Sequence, residues 1–431
     1  MANLLYWVWL SDALTPGTDA FARLRSSFSS PKEIFDADEE ALRAALGPRR
    51  GATVERLANK NLFRARNILD FVTVNGIGVL TYDDPSFPAL LRTIPTPPVL
   101  LYYKGKLPDL NSCFPVGIVG SREHNEYAMR QTFEISYDLA RGGATVISGM
   151  AKGIDGIAQA AALSAGGKVV AIIGSGIDVL YPKEHTELAK YILSNGAVMT
   201  EFSPGTPPYR TNFPKRNRLI SGMSRAVLVT AGQENSGALI TARYAKEQER
   251  DLFALPGNVD DPYSAAPSML LREGARAATC AEDILFAYES RYPGVINLFR
   301  LLESSTVRMD KVLKTAHVAL GLAKRSNQVK RAPVATLRSD DRLPQYEDAF
   351  TSEPMVAEPD GIDEELERAL SELPEEMRAL YLRIPASGSC RTDELVTKDT
   401  PPSKVMGAIT MLEIKGLVRL LPGGRIQRNR S

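Results

Sequence analysis

The chain has 431 residues, and its 52 lysines and arginines almost balance its 51 aspartates and glutamates, giving a formal net charge of +1. This balance gives no whole-chain electrostatic reason to expect a nucleic-acid partner, so any basic binding site has to be local. The 44% hydrophobic content is ordinary for a globular protein of two or three domains. Three widely spaced cysteines and three histidines argue against a disulfide framework, a structural zinc site and a multi-histidine metal centre.

The first ten residues contain a short apolar stretch, 4–10, that ends at Ser11 and Asp12. A signal peptide would need a basic region before this stretch and a cleavage site after it, and neither is present. No segment approaches the ~20 apolar residues that are needed to cross a bilayer. We therefore expect a cytoplasmic protein that makes no membrane contact.

Residues 1–75 predict a small helical domain. Apolar residues recur at helical spacing in Phe21–Leu24 and again between Leu62 and Phe71, with charged residues between them. Ser30 followed by Pro31 indicates the start of a helix, because serine caps the free amides and proline suits the first turn.

Residues 76–290 predict an α/β domain in which strands and helices alternate. Short apolar runs, most of them rich in Val and Ile, occur at 78–82, 99–104, 116–119, 144–148, 168–173, 197–200, 226–230 and 251–255. Most of the segments between them are long enough for a helix, which favours βαβ units and a buried parallel sheet. Right-handed crossovers then place helices on both faces, giving a Rossmann-like architecture.

The last part of the chain predicts a linker and a second small domain. Residues 291–361 become first basic and then acidic, and we expect them to be partly disordered. In residues 362–431, Leu366, Leu370 and Leu373 share one helical face, and further helices are expected near 391–397 and 402–415. A strand pair is expected at 417–420 and 425–427 around the turn at 422–424. Three helices and a hairpin suggest a winged helix.

Ligands of open α/β sheets bind where the parallel strands end, so the loops after the strands hold the candidate site residues. The first loop offers Gly120, Ser121 and Arg122, and the second offers Gly149, Lys152 and Gly153. Each joins a glycine turn to a helix start and a cation, a combination that suits phosphate. The alternative is a capped turn with a surface cation. If the two strands are neighbours, Lys152 should lie near Arg122.

Two further loops complete the predicted binding site. One combines an aromatic ring with a basic run, in Phe213, Lys215, Arg216, Asn217 and Arg218. A ring on which a base can stack, beside cations that neutralise phosphate, is typical of single-strand binding. The alternative is a solvated basic turn with Phe213 in the core. The other loop contributes a helix start, at Ser236 and Gly237, or simply a cap.

No cofactor and no catalytic group are predicted. The turn Gly174-Ser175-Gly176 lacks the third glycine of the dinucleotide fingerprint, because Val occupies position 179. Asp178 and Glu201 end predicted strands, where they serve either as acids at the site or as caps or partners of its basic residues. The histidines have no evident serine or cysteine partner, so we expect a binding protein and not an enzyme.

In combination these segments resemble the DNA-processing protein A (DprA/Smf) family. The resemblance is continuous from about 75 to 290. It is carried by Val116 to Arg122, Ser148 to Asp155, Gly174 to Pro182, Phe213 to Gly222, Ser236 to Ala242 and Phe253 to Gly257.

The resemblance implies single-stranded-DNA binding, protection of incoming DNA, loading of the RecA recombinase during natural transformation, and a homodimer. It also implies an N-terminal domain of the SAM or helix-hairpin-helix type. The family's DNA-contact positions correspond to Arg122, Lys152 and the segment 213–218. Lys152 departs from the more usual arginine, Gln159 from a frequent histidine, and Ser264–Ala266 from a Gly-x-Asn pattern.

The alternative is an enzyme acting on nucleotides, of the phosphoribohydrolase kind that shares a similar sheet. That group carries a Pro-Gly-Gly-x-Gly-Thr loop, and the nearest segment here is Pro256 to Asp260, which differs from it. The predicted winged helix has few base-reading side chains in its third helix, so a protein contact or a structural role is favoured over duplex binding.

Overall fold

The structure is a computed structural model that describes residues 2–302 and parts of the chain beyond 373, namely 374–384, 390–391, 395, 405, 408–409, 411–412, 417–421 and 425–428. Contacts divide the chain into two compact units, 1–356 and 357–431. Each unit is described by itself below.

The N-terminal helices are α1 (Ala2–Ala13), α2 (Ala20–Ser27), α3 (Pro31–Asp36), α4 (Glu39–Leu46), α5 (Gly51–Ala58) and α6 (Phe63–Val74). The predicted helix start at Ser30 is confirmed, since the Ser30 side chain accepts a hydrogen bond from the Glu33 amide and Pro31 occupies the first turn. Trp7, Leu10 and Ile34 are buried in the same hydrophobic cluster as residues of the sheet. These helices therefore pack against the α/β domain.

A nine-stranded sheet forms the centre of the first unit, in the order β1-β2-β6-β5-β4-β3-β7-β8-β9. The strands are β1 (Gly78–Thr81), β2 (Leu100–Gly105), β3 (Phe114–Gly120), β4 (Ala144–Ser148), β5 (Val169–Ile172), β6 (Gly196–Thr200), β7 (Ala226–Ala231), β8 (Asp251–Ala254) and β9 (Arg276–Ala277). The α/β fold with a mostly parallel sheet is confirmed.

The prediction of a wholly parallel sheet is wrong at one edge. Strand β2 lies antiparallel between β1 and β6, whereas β6, β5, β4, β3, β7, β8 and β9 pair in parallel. The connection between β1 and β2, residues 82–99, contains the short helix Ala89–Arg92 and is long enough for a crossover, so its length does not determine the antiparallel pairing. The connections between consecutive parallel neighbours, from β3 to β6 and from β7 to β9, each contain a helix.

Helices cover both faces of the sheet. They are α7 (Ala89–Arg92), α8 (Glu126–Arg141), α9 (Ile154–Ser164), α10 (Thr186–Asn195), α11 (Asn212–Gly222), α12 (Ala238–Glu247), α13 (Ala265–Arg272), α14 (Glu282–Leu285) and α15 (Phe299–Leu302). Successive residues of a strand face opposite sides, so Val146 belongs to one hydrophobic cluster and Ile147 to the other. Strands buried on both faces explain the continuous apolar runs in the sequence.

The second unit contains α16 (Glu375–Arg383) and the strands β10 (Cys390–Arg391), β11 (Val418–Leu421) and β12 (Arg425–Arg428). Strands β11 and β12 pair antiparallel, which confirms the predicted strand pair. The predicted helices at 366–373, 391–397 and 402–415 lie wholly or largely outside the described residues, as does most of the predicted linker. The winged helix therefore stays a prediction. Among the described helices, none has the length and apolar character of a membrane span.

Candidate nucleic-acid interface

The candidate site lies where the direction of the chain through the sheet reverses. From β3 the chain runs outward through β4 and β5 to β6, and it then returns to β7 on the other side of β3. Ligands of such sheets bind at this switch point, beyond the carboxyl ends of the strands. A cavity of about 410 Å³ opens there. It is lined by residues 119–123, Ala151, Asp155, Phe213, Arg216, Asn217, Gln233, residues 235–238, Thr241 and Tyr263.

The loops after β3 and β4 contact each other through glycines. A Cβ on Gly120 would lie 2.6 Å from the Ile154 side chain, and one on Gly153 would lie 2.4 Å from the Arg122 carbonyl oxygen. Gly153 also has a φ of +77°, which side chains rarely adopt. The Ile154 amide donates a hydrogen bond to the Ser121 carbonyl at 3.2 Å. The glycines at 120 and 153 are therefore required for the close approach of the two predicted loops.

The Asp155 carboxylate links the loops after β3 and β4 through hydrogen bonds to their backbone amides. Its buried carboxylate accepts a hydrogen bond from the Gly149 amide at 3.1 Å and is also hydrogen-bonded to the amides of Ala151 and Gly120. Burial raises the pKa of Asp155, while the nearby Arg216 charge and the backbone amides favour its ionised form. Asp155 is therefore the common partner of both loops.

Arg216 forms part of the floor of the cavity. The side chain is buried, and Nη1 donates a hydrogen bond to the Ile172 carbonyl at the end of β5. Burial lowers the pKa of Arg216 to about 10; Asp155 opposes this shift and Arg122 adds to it. Arg216 therefore stays charged at neutral pH. A Cβ on Gly149 would lie 1.7 Å from Arg216 Nη1 and 2.5 Å from Asp155 Oδ2, so this position tolerates only glycine.

Phe213 is half-buried and carries cations against its ring. The guanidinium carbon of Arg122 lies 5.6 Å from the ring centroid and that of Arg216 lies 5.9 Å from it, within cation–π range. The ring of Tyr181 lies 5.5 Å away, tilted by 53°. The structure therefore brings Arg122, Arg216 and Phe213 together, while Arg122 itself remains exposed.

The predicted basic run is divided between two faces, because all of it lies in α11. Phe213, Arg216 and Asn217 line the cavity. The opposite face carries Lys215, which is half-buried near Gly17, and Arg218, which is only 1% exposed.

Arg218 forms a buried ion pair with Glu201, so the structure does not expose it for DNA contact as the sequence suggested. Burial raises the pKa of Glu201, and the Arg218 charge opposes that shift. We leave Arg218 out of the candidate interface. Glu201 is a partner of a basic residue, which is one of the roles considered for it.

Lys152 lies on the surface beside this site. Its Nζ is 2.5 Å from Glu184 Oε1, and both side chains are more than half exposed. Exposed ion pairs contribute little free energy, about 0–1 kcal/mol, so a phosphate can displace Glu184 at small cost.

The loop after β7 presents the amino terminus of α12 to the cavity. Ser236 Oγ accepts a hydrogen bond from the Ala238 amide at 3.3 Å, and Gly237 precedes the first residue of the helix. The free amides and the dipole at this end favour an anion. Asn217 Nδ2 approaches the Gly237 carbonyl at 3.5 Å, which links α11 to this loop.

The turn at 174–178 has a structural role. Asp178 accepts hydrogen bonds from the Gly205 amide at 2.8 and 3.1 Å, and a Cβ on Gly176 would meet that amide at 2.8 Å. This turn therefore anchors the loop that follows β6.

Sequence reasoning missed several residues that line or adjoin the cavity. Tyr181 contacts the Phe213 ring beside the cavity, and it could have been found because it is an aromatic residue in a proline-containing loop after a strand. Gln233, Asn235 and Tyr263 give no comparable signal, since isolated polar or aromatic residues in loops usually have no special role.

Comparisons with known proteins agree with this geometry. The family model described as DNA recombination-mediator protein A matches residues 78–289. The Smf protein of Synechocystis is 31% identical over 426 residues, which are 98% of each chain. The DNA processing protein DprA of Streptococcus pneumoniae is 41% identical over 206 residues, covering 48% of this chain and 72% of that protein.

The X-ray structure of DNA processing protein A from Streptococcus pneumoniae superposes with a TM-score of 0.57 and 32% sequence identity. The superposition covers 64% of this chain and 95% of that one. The sequence match with the Smf protein extends over nearly the whole chain, and the family model matches the sheet domain that contains the cavity. The chain belongs to the DNA recombination-mediator protein A family.

Proposed function

We propose that this protein binds single-stranded DNA in the cavity between β3 and β7 and acts as a recombination mediator. One observation carries the proposal: a single cavity contains two arginines, the amino terminus of α12 and an aromatic ring contacted by both guanidinium groups. These are the groups that phosphates and unstacked bases require.

Each group has a distinct part in binding. Arg122 is exposed and offers a bidentate fork to a phosphate, while Arg216 supplies fixed positive charge from the floor. The amides of the α12 start add donors for the same phosphate. A base of a single strand can stack near Phe213, whereas the bases of a duplex are already stacked with each other. The site should therefore prefer single strands.

We propose binding without catalysis. Asp155, an acid that lines the cavity, already accepts hydrogen bonds from three backbone amides, which leaves it poorly placed to remove a proton from a substrate. Measurement of free base released from nucleoside monophosphates tests this point, and turnover above the buffer rate would contradict it.

We further propose that the protein is a cytoplasmic homodimer that protects incoming DNA and loads RecA onto it, with a C-terminal winged helix used for protein contact. Family membership supports these finer roles. The test is RecA filament formation on strands already covered by a single-strand-binding protein. The proposal predicts faster filament formation when the full-length chain is added, and an unchanged rate would contradict it.

The binding proposal is tested with the double variant Arg122→Ala/Lys152→Ala in a fluorescence-anisotropy titration of labelled oligothymidylate. Lys152 is chosen and not Lys215, because Lys215 lies on the opposite face of α11. Loss of affinity on all sequences is expected, because both cations contact phosphate and not bases. The matched control is Arg272→Ala, an exposed cation in the last turn of α13. A double variant that binds like the wild type would contradict the site assignment.

A further inference from the structure

We propose that a bound single strand continues from the cavity over the carboxyl ends of β4, β5 and β6, with Tyr181 and Tyr209 stacking bases and Lys183 and Arg210 contacting phosphates. This inference rests on the proposed function and adds a second subsite and a direction to it.

The first observation concerns two exposed tyrosines. Tyr181 follows β5 and is 38% exposed, and Tyr209 follows β6 and is 58% exposed. Large exposed aromatic rings in neighbouring loops are not explained by core packing. In combination with cations they match the stacking platforms of single-strand-binding proteins.

The second observation links both tyrosines to elements that carry cavity residues, although neither tyrosine lines the cavity. Tyr181 contacts the Phe213 ring, with 5.5 Å between the centroids. The Tyr209 carbonyl accepts a hydrogen bond from the Asn212 amide at 3.0 Å, and Asn212 Nδ2 donates to the Gly174 carbonyl at 3.1 Å. The Tyr209 backbone is therefore anchored near the end of β5, immediately before the helix that carries Phe213.

The third observation concerns two cations beside these tyrosines. Lys183 and Arg210 are exposed, and neither forms an ion pair within the part of the chain that the structure describes. Lys152 differs, because Glu184 lies against it. Other exposed acids at the loops after β3 and β5 are Glu123, Glu126 and Glu187, and Glu187 pairs with Lys190. The loops after β5 and β6 therefore each combine a tyrosine with an unpaired cation.

The fourth observation gives the direction in which the bound strand leaves the cavity. On the opposite side of the cavity, the segments 232–237 and 255–264 contain no lysine, arginine or histidine, but they contain Glu234, Asp260 and Asp261. A polyanion is repelled by that side and attracted by the other. From β3 to β6 there are three strand spacings, or about 14 Å, which is long enough to hold nucleotides beyond the one in the cavity.

The test compares two lengths of oligothymidylate on the full-length chain. One has two nucleotides, which span less than the ~14 Å from β3 to β6 and so stay at the cavity. The other has about twelve, within the ~4–16 nucleotides typical of single-strand sites. The variant Tyr209→Ala/Arg210→Ala should bind the longer strand about 5- to 150-fold more weakly, the range for one lost base stack, and should bind the shorter strand like the wild type. Its retained affinity for the shorter strand also shows that the cavity is folded.

The matched control is Tyr191→Ala/Arg272→Ala, which removes an exposed tyrosine of α10 and an exposed arginine of α13. We expect it to bind both lengths like the wild type. Equal losses for both lengths in the Tyr209→Ala/Arg210→Ala variant, or no loss for either, would overturn the inference. Arg122→Ala separates the two proposals, because it should weaken both lengths. If Arg122→Ala does so while the Tyr209→Ala/Arg210→Ala variant binds normally, the cavity proposal stands and the extended path fails.

Discussion

The sharpest structural prediction concerns Gly149→Ala, because this position brings together the two buried charges beneath the cavity. The added methyl group would lie 1.7 Å from Arg216 Nη1 and 2.5 Å from Asp155 Oδ2, so at least one side chain must move. Displacing Arg216 breaks its hydrogen bond to Ile172, worth about 1.5–3 kcal/mol for a charged donor. Overpacking adds about 1–3 kcal/mol. We expect the free energy of unfolding to fall by about 2.5–6 kcal/mol.

The same change should weaken single-strand binding by about tenfold or more, since each ~1.4 kcal/mol lost from the site is a factor of ten. The free energy of unfolding is measured by urea titration followed by circular dichroism. The affinity is measured by anisotropy of a labelled oligothymidylate under conditions where the variant remains folded. Both effects have one origin, namely the forced movement of Arg216 and Asp155.

Gly237→Ala is the matched control in the same cavity. A Cβ at Gly237 meets no atom within 4 Å, and its φ of −59° suits alanine. We expect the free energy of unfolding to change by less than about 1 kcal/mol. If Gly149→Ala lowered the free energy of unfolding as little as Gly237→Ala, the contacts of the added methyl group with Arg216 and Asp155 would not be destabilising, and the prediction would be wrong.

Three further predictions follow from other contacts. Arg218→Met should lower the free energy of unfolding by about 3–5 kcal/mol because it leaves Glu201 buried and unpaired, and adding Glu201→Leu should recover much of that loss in a urea titration. Burial raises the pKa of Asp138 in the folded protein to about 6, and the Glu282 charge adds to the shift. The protonated carboxyl therefore favours the folded state. This contribution to the free energy of unfolding is fully present below the unfolded-state pKa of Asp138 and is lost as the pH rises through 6. Asp138→Asn should therefore flatten the dependence of unfolding free energy on pH between about 4 and 7, and an unchanged profile would contradict this. Arg122→Lys should keep most of the salt dependence of binding but lose affinity, because lysine retains the charge without the planar fork; full affinity by anisotropy would argue against a bidentate contact.

Much of the fold could be predicted from the sequence, because strands buried on both faces are continuous apolar runs. The segments around Val116, Val146 and Val227 are unmistakable for this reason. Strand β9 could not be predicted, since its two residues, Arg276 and Ala277, are exposed and have no apolar pattern. The antiparallel placement of β2 also escaped prediction, because the local composition of a strand does not determine its pairing direction.

The candidate site was predictable at its glycine loops and less so at its charges. Gly120, Gly149 and Gly153 are required by close contacts that only glycine permits. The basic residues between Lys215 and Arg218 look equivalent in the sequence. In a helix, however, successive residues are rotated by about 100°, so neighbouring side chains lie on different faces. Arg218 consequently meets Glu201 in the interior, seventeen residues earlier in the chain, and no local pattern in the sequence indicates that partner.

The central claim is that the cavity with Arg122 binds single strands in preference to duplex. The most direct measurement is the affinity of the full-length wild type and of Arg122→Ala for a single strand and for the matching duplex, over a series of salt concentrations. We predict tighter binding of the single strand, and affinity that falls with increasing salt as counterions are released. Loss of the Arg122 phosphate contact should reduce the slope of log affinity against log salt by about 0.7. Equal affinities for single strand and duplex, or an Arg122→Ala variant with unaltered affinity and slope, would contradict the claim.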